Sequence, residues 1–243
     1  MNDLAPKTPA GCLYLIPTNL GEPFEASAIL PHAVIELTGK LDYFIAENPK
    51  TARYFLKTVG TQKPIQEIRI AQLNVNSCPN ILADLLAPIL AGLDAGLISE
   101  AGAPGVADPG ADLVALAHTR NMRVVPCVGP SAILLSVMAS GLNGQRFSFH
   151  GYLAQNKLQR QKQLQELERD SKRLHSTQLF IETPYRNDAM LADLIATLSP
   201  NTRLSIACNL GCADEWVQTK EIAQWRKLTT VIGKRPTMFS FLA

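Results

Sequence analysis

The chain has 243 residues, 47% of them hydrophobic and 18% charged, a balance that is typical of globular proteins and excludes extended disorder. A formal net charge of +2 also excludes a protein that coats polyanions through its overall charge. Any contact with nucleic acid therefore requires a local basic patch.

Sequence features of membrane proteins and of common metal sites are missing. The longest nearly uncharged stretch, 124–145, is interrupted by prolines and glycines and so cannot form one spanning helix. The five cysteines form no C-x-x-C pair, which argues against a zinc ribbon or a redox dithiol. With no apolar signal segment at the N-terminus, we expect a soluble cytoplasmic protein without a bound metal.

In the first half of the chain, short apolar runs alternate with helical patterns. The runs predict strands, because a buried parallel strand is short and continuously apolar. Pro88 interrupts one helical pattern and is expected to kink or split that helix. The predicted elements in chain order are strand 12–16, helix 31–37, strand 43–46, helices 49–59 and 80–93, strand 96–99, helix 108–120, strand 123–128 and a helix that is opened by 129–131 and ends near 140.

The second half repeats this alternation with less order. Its predicted elements are strand 147–151, helix 155–174, strand 177–182, helix 187–198 and strands 203–208, 216–219 and 237–242. Strands and helices that alternate through short connections are typical of α/β folds with a mostly parallel sheet and helices on both faces. A boundary near Gly129 would give two α/β domains, 12–128 and 129–243.

Three loops of unusual composition follow predicted strands: PTNLGEP at 17–23, EAGAPGVADPG at 100–110 and GPSA at 129–132. Ligands of open parallel sheets bind at the carboxyl ends of the strands. Small residues and prolines let the backbone approach a ligand closely and stay fixed. Each loop by itself is more often simply a tight turn, but together they favour a site for a bulky organic ligand.

The motifs of several large enzyme classes are absent from the sequence. It contains no G-x-G, the core of the Rossmann dinucleotide fingerprint, and no G-x-x-x-x-G-K-[ST] phosphate loop. It also lacks G-x-S-x-G and H-E-x-x-H, and its four histidines are isolated. Walker-type nucleotide hydrolysis, triad hydrolysis and zinc catalysis are therefore disfavoured.

Five segments in a fixed order carry a resemblance to a known family. They are LYLIPTNLG, FIAENPKTARYFLKTVG, ISEAGAPGVADPGADLV, RVVPCVGPSAILLSVMASGL and FIETPYR. Together they resemble the tetrapyrrole methylase superfamily, and within it the branch of ribosomal RNA small-subunit methyltransferases that modify a ribose 2′-hydroxyl. The likeness spans 13–241, and EAGAPGVADPG followed by GPSA is its most specific part.

The resemblance implies a two-domain α/β methyltransferase that binds S-adenosylmethionine in the cleft between its domains, usually as a homodimer. Carried over by position, the cofactor contacts of the three loops would be Leu20, Gly102, Ala103, Val106, Ser131 and Ala132. Those on the adenine side of the pocket would be Ile181, Pro236 and Thr237.

The chain departs from the family's pattern in two of these segments. Where the family usually has Asp-Ala-Gly-Thr-Pro, this chain has Glu-Ala-Gly-Ala-Pro at 100–104, which removes a hydroxyl but leaves the backbone contacts. Where the family has Glu-Asp-Thr-Arg, this chain has Glu-Asn-Pro-Lys at 47–50. The second segment would face the acceptor, so the resemblance specifies the cofactor better than the substrate.

Methyl transfer to oxygen requires donor and acceptor in line, together with a group that removes or stabilises the acceptor's proton. Glu182 and Arg186, four residues apart in ETPYR, are the candidate catalytic residues, because together they can orient an acceptor. A structural ion pair is the equally balanced alternative. Glu47 and Glu100 also follow predicted strands but are better interpreted as a helix cap or an ion pair.

The helix predicted at 155–174 carries a surplus of basic residues. Lys157, Arg160 and Lys162 precede its first acid and are candidates for a phosphate-contacting arm, which would make structured RNA of the small ribosomal subunit the partner. The alternative is a solvated amphipathic helix. Three functions stay open at this point: RNA methylation, methylation of a small molecule by the same fold, and cofactor binding without turnover.

Overall fold

The computed structural model describes residues 10–73 and 79–243. The chain divides into two compact units, Met1–Ser131 and Ala132–Ala243, and each has its own sheet and apolar core. They are named the first and the second unit below. Among the helices described, none combines the length and the apolar content that crossing a bilayer demands.

The first unit is a parallel α/β structure. Its described elements are β1 (Cys12–Ile16), α1 (Ala26–Ile29), α2 (His32–Lys40), β2 (Tyr43–Ala46), α3 (Pro49–Val59), β3 (Arg69–Gln72), α4 (Pro79–Leu90), β4 (Ala95–Ile98), α5 (Gly110–Thr119) and β5 (Arg123–Pro126). The strands pair in the order β3-β2-β4-β1-β5, and every pairing is parallel. The carboxyl ends of β4, β1 and β5 therefore lie side by side at one edge of the sheet.

Successive side chains of the buried strand β2 reach opposite faces of this sheet, as the pleat of a strand requires. Phe44 packs in one apolar cluster with Phe55 of α3. Tyr43 packs in another with Leu86 of α4, and its hydroxyl donates a 3.0 Å hydrogen bond to the carbonyl of Leu85. Helices thus cover both faces, which confirms the predicted architecture of this half.

Two local features of the first unit differ from the prediction. β3 was not expected, because Arg69–Gln72 contains no apolar run and has exposed ends, as suits a short strand at the edge of a sheet. α4 continues through Pro88 and ends two residues later instead of splitting. Because Pro88 lies in the last turn, the helix loses only one hydrogen bond to it.

The second unit contains a mixed sheet. Its described elements are α6 (Ala132–Ser140), β6 (Phe147–Tyr152), α7 (Lys157–Leu174), β7 (Thr177–Glu182), a single 3₁₀ turn (Pro184–Arg186), α8 (Asn187–Thr197), β8 (Arg203–Cys208), β9 (Trp216–Glu221), α9 (Ile222–Trp225) and β10 (Thr237–Leu242). The strand order is β6-β7-β10-β8-β9. Only β6 and β7 are parallel; β10 runs antiparallel to β7 and β8, and β9 antiparallel to β8.

The prediction of a mostly parallel sheet is therefore wrong for the second unit. The segment 209–215 that joins β8 to β9 is too short for a parallel crossover, so these strands form a hairpin. β10 is buried at all its positions because it lies between two other strands. Phe180, Phe239 and Trp225 pack in the core, and the Trp225 indole donates to the Leu204 carbonyl at 3.0 Å.

Candidate functional site

The first two glycine- and proline-containing loops of the first unit are bonded to each other directly after their strands. Thr18, two residues beyond β1, donates its N–H to the Gly102 carbonyl at 2.9 Å and accepts the Gly102 N–H at 3.3 Å. The buried Thr18 hydroxyl donates to the Ser99 carbonyl at 3.2 Å. This isolated bridge fixes the second loop beside the first at the carboxyl edge of the sheet.

The third loop meets the other two at Gly102. This residue has φ +71°, and a Cβ built on it would lie 3.1 Å from Leu20 Cδ2, 3.6 Å from the Pro130 carbonyl oxygen and 4.0 Å from Ser131 Cα. A glycine is thus favoured because its backbone angle is strained for other residues and because a Cβ would be crowded by Leu20. The structure brings Leu20, Gly102 and Ser131 together, whereas their role in binding a cofactor stays a prediction.

The second loop is held in shape by an aspartate. Asp108 Oδ1 accepts the N–H groups of Gly105 at 2.8 Å and Gly110 at 2.7 Å. α5 begins at Gly110, two residues after the predicted start at 108, so Asp108 precedes the helix. Within the braced loop Ala103 is half-buried and Val106 is 47% exposed, which leaves both side chains accessible at the edge of the sheet.

The third loop approaches the first so closely that glycine is required. A Cβ on Gly129 would lie 2.6 Å from Pro17 Cβ, a distance that real Cβ atoms do not show. Ser131 follows in this loop and is half-buried, and Ala132 is the first residue of α6 in the second unit. The lack of room for a Cβ at both Gly102 and Gly129 shows that the three loops pack closely at one junction.

Two glutamates at the carboxyl edge of the first sheet were candidates for structural roles. Glu100 Oε1 accepts the Thr51 hydroxyl of α3 at 2.6 Å, which favours the structural interpretation. Partial burial raises the pKa of the Glu47 carboxyl above its ordinary value, and the negative charges of Glu100 and Asp108 raise it further. Three carboxylates therefore lie close enough at this edge to repel one another.

In the second unit, Glu182 and Arg186 are paired. Glu182 ends β7 with its side chain 1% exposed, and Oε1 accepts the Thr183 N–H at 2.6 Å and Arg186 Nε at 3.0 Å, with a second contact from an Arg186 terminal nitrogen. Oε2 is buried and has no hydrogen-bond partner among the described residues. The ion pair, which was the alternative to a catalytic role, is present, and participation of the two residues in catalysis stays a prediction.

The predicted adenine-side residues lie around this carboxylate. β10 pairs with β7 so that Thr237 is opposite Glu182 and Met238 is opposite Ile181. Ile181 is half-buried, whereas Thr237 is buried and donates its hydroxyl to the Arg235 carbonyl at 2.9 Å. Pro236 is exposed, directly before β10. Ile181, Pro236 and Thr237 thus belong to one small region at the end of β7.

The structure corrects the interpretation of α7. Arg160 is 7% exposed, and it donates from Nε to Asp193 Oδ2 at 2.8 Å and from a terminal nitrogen to the carbonyls of Ala154 at 3.0 Å and Gln155 at 2.8 Å. The prediction that Arg160 contacts a phosphate is therefore wrong, because its donors are used inside the unit. Lys157 and Lys162 are exposed on the same helix, and Lys157 lies 3.9 Å from Asp193 Oδ1, so Lys162 keeps that possibility more fully than Lys157.

Sequence reasoning missed the arrangement that follows the 3₁₀ turn. Asn187 is fully buried, and its Nδ2 donates to the carbonyls of Gly233 at 2.9 Å and Arg235 at 2.7 Å. Because both partners are carbonyl oxygens, the amide nitrogen must face them, and Oδ1 is left buried without a partner among the described residues. An asparagine at the start of a helix predicts an ordinary helix cap, so the sequence gives no signal for this contact.

No family model matches the chain. It is similar to the ribosomal RNA small subunit methyltransferase I of Synechocystis sp., with 32% identity over 204 residues that cover 82% of this chain and 67% of the relative. It is also similar to the protein of that name from Vibrio cholerae, with 27% identity over 215 residues that cover 88% and 70% of the two chains.

Two solved structures share the fold. The methyltransferase CobJ superposes with a TM-score of 0.62 at 15% identity, covering 96% of this chain and 94% of that one. Uroporphyrin III C-methyltransferase from Thermus thermophilus superposes with a TM-score of 0.57 at 13% identity, covering 96% and 97%. The fold class and the resemblance inferred from the motifs are confirmed.

Proposed function

Because the chain belongs to the family of the ribosomal RNA small subunit methyltransferase I, we propose that it methylates a ribose 2′-hydroxyl of ribosomal RNA with S-adenosylmethionine as donor. Proteins of this family are S-adenosylmethionine-dependent methyltransferases. The observation that carries the proposal is the junction of three loops at Gly102, where parallel strands end side by side.

The residues present fit such a cofactor. In the first unit, Leu20, Gly102, Ala103, Val106 and Ser131 would hold it, because glycine at the junction leaves a space that a Cβ would fill. S-adenosylmethionine supplies a methyl group bonded to a positively charged sulfur. This sulfur becomes a neutral thioether when the methyl group is transferred, so no acid is needed to protonate a leaving group.

In the second unit, we propose Ala132, Ile181, Pro236 and Thr237 as further cofactor contacts, as the resemblance implies. Two buried acceptors without partners among the described residues, Glu182 Oε2 and Asn187 Oδ1, suit the amino and hydroxyl donors of an adenosyl group.

The chain's own contribution to the reaction is positioning. Glu182 is too buried to meet a large acceptor directly, so we propose that it fixes Arg186, whose side chain is 29% exposed. A guanidinium held in this way can hydrogen-bond the acceptor and stabilise negative charge on the attacking oxygen, while the hydroxyl proton passes to solvent water. This assignment makes Arg186 the catalytic residue and Glu182 its positioning residue.

We also propose that the protein is a cytoplasmic homodimer. It would contact RNA through exposed basic residues on its surface. α6 lies against β8, β9 and β10, and Leu134 and Met138, one turn apart on its other side, are 55% and 77% exposed. An apolar face of this kind suits a second copy of the chain, and sedimentation of a Met138→Lys variant tests it. Lys157 and Lys162 of α7 remain candidates for phosphate contacts.

The decisive experiment follows labelled methyl groups from S-adenosylmethionine into small ribosomal subunits that lack their modifications and, in parallel, into a small-molecule extract. Incorporation into RNA that stops when the 2′-hydroxyl is absent supports the proposal. Incorporation only into the extract would instead identify a small-molecule methyltransferase of the same fold. Binding of S-adenosylhomocysteine by calorimetry without any transfer would identify a cofactor-binding protein without turnover.

A further inference from the structure

An exposed tyrosine in the second unit carries a cation on its ring. Tyr185 is 80% exposed in the 3₁₀ turn directly before Arg186, and the Lys234 ammonium lies 5.1 Å from its ring centroid. A tyrosine this exposed contributes little to a core. An exposed ring of this kind can stack on a planar partner while it keeps its contact with Lys234.

The cations near this ring are held in place by the start of α8. Asn187 binds the carbonyls of residues 233 and 235, and Asp188 Oδ1 accepts the N–H of Ile232 at 2.7 Å. These bonds tie the segment 232–235 to the residues that directly follow Tyr185 and Arg186. Partly buried hydrogen bonds thus hold this surface, on which Tyr185 and Lys234 are exposed and Arg186 and Arg235 are half-buried.

Two of these cations keep their charge available. Among the described residues, neither Lys234 nor Arg235 takes part in a salt bridge, whereas Arg186 is paired with Glu182. Arg235 donates from Nε to the Ile232 carbonyl at 2.7 Å and from a terminal nitrogen to the Val231 carbonyl at 3.4 Å, which holds the guanidinium without neutralising its charge. The Arg235 guanidinium lies 5.8 Å from the ring centroid of Trp216. Arginine and lysine beside aromatic rings are the composition of surfaces that bind unpaired nucleotides.

We propose that Tyr185, Arg186, Lys234 and Arg235 form a surface that binds unpaired nucleotides of RNA, with a base stacked on Tyr185 and phosphates at Lys234 and Arg235. Every base has an aromatic face, so a stacking contact of this kind accepts any sequence. The inference rests on the proposed function, since it places the acceptor strand beside Arg186. It assigns to the second unit a recognition surface that is separate from α7.

The test uses Tyr185→Leu and Lys234→Gln, with Tyr54→Leu and Lys172→Gln as matched controls at exposed positions elsewhere. The probe is a short fluorescein-labelled single-stranded RNA, and binding is followed by anisotropy over a series of salt concentrations. Tyr185→Leu is expected to weaken binding about 5- to 150-fold, with no effect on duplex RNA, whose bases are already stacked. Lys234→Gln is expected to reduce the salt slope by about 0.7.

Methyl transfer to ribosomal subunits is measured with the same variants. If Tyr185→Leu and Lys234→Gln bind RNA with wild-type affinity and salt slope, the surface is refuted even where the wild type methylates RNA. If the variants lose RNA binding but the wild type transfers no methyl group, the surface stands and the proposed function fails. If the wild type does not bind single-stranded RNA at all, the surface is refuted.

Discussion

Gly102→Ala tests the three-loop junction directly. The residue has φ +71°, and an alanine there costs about 1–2 kcal/mol of backbone energy, of which roughly 0.4–1 kcal/mol is recovered because the unfolded chain becomes less flexible. The new methyl group would also lie 3.1 Å from Leu20 Cδ2, which must move. We therefore expect a loss of about 1 kcal/mol in stability, which lowers Tm by roughly 2–4 °C.

The matched control is Gly141→Ala in the second unit. Gly141 has a similar φ of +64°, and a Cβ there would meet nothing within 4 Å. This variant therefore has a similar backbone strain energy but places no methyl group in the three-loop junction. Calorimetry should show S-adenosylhomocysteine binding at least about tenfold weaker in Gly102→Ala, a difference of about 1.4 kcal/mol, and unchanged in Gly141→Ala. Wild-type affinity in a folded Gly102→Ala protein would refute the reasoning.

Three further changes test buried and partly buried polar groups. Arg160→Leu leaves Asp193 without its buried partner and should lower the free energy of unfolding by about 3–5 kcal/mol in urea titrations. The additional change Asp193→Leu should restore most of that loss. A loss well below this range in Arg160→Leu would contradict the importance of the buried pair. Because the pKa of Glu47 is raised in the folded state, its carboxyl favours folding at low pH and loses that contribution as pH rises. Glu47→Gln should therefore gain stability relative to the wild type between about pH 4 and pH 7, and an equal difference at both pH values would argue against the raised pKa. Asn187→Ala removes two hydrogen bonds and should lower the free energy of unfolding by about 1–3 kcal/mol. Amide hydrogen exchange in 232–235 should become faster, and unchanged exchange would show that other contacts hold this segment.

The parallel sheet of the first unit was predictable because its strands are continuously apolar. β2 and β4 are buried along their whole length, and each is followed at once by polar or small residues, so both the strand and its end are visible in the sequence. β3 carries no such signal, since an edge strand needs little apolar surface. Local pattern therefore specifies the centre of this sheet better than its edge.

The antiparallel pairing of the second unit was not predictable from local pattern. The apolar run that forms β10 would suit a parallel or an antiparallel neighbour equally well, and its position between β7 and β8 depends on contacts far away in the sequence. Arg160 was misjudged for the same reason. Its partner Asp193 lies on another helix, 33 residues later, and no spacing rule links them.

For the candidate site, the amino-acid composition was enough to predict which loops take part, whereas the contacts between the loops became known only from the structure. Glycines and prolines in three loops predicted close backbone approach, and the structure shows that approach at Gly102 and Gly129. The buried acceptors Glu182 Oε2 and Asn187 Oδ1 could not be anticipated, because whether a polar atom lacks a partner depends on the packing of several elements.

The position of β10 has a consequence for biosynthesis. A ribosome delivers the chain from its N-terminus, and the strands described in the first unit all precede residue 127, so that unit can fold while translation continues. The second sheet receives its middle strand, Thr237–Leu242, after all its other strands. Until then β7 and β8 each have one unpaired edge, so we expect a nascent chain stalled before residue 237 to be prone to aggregation.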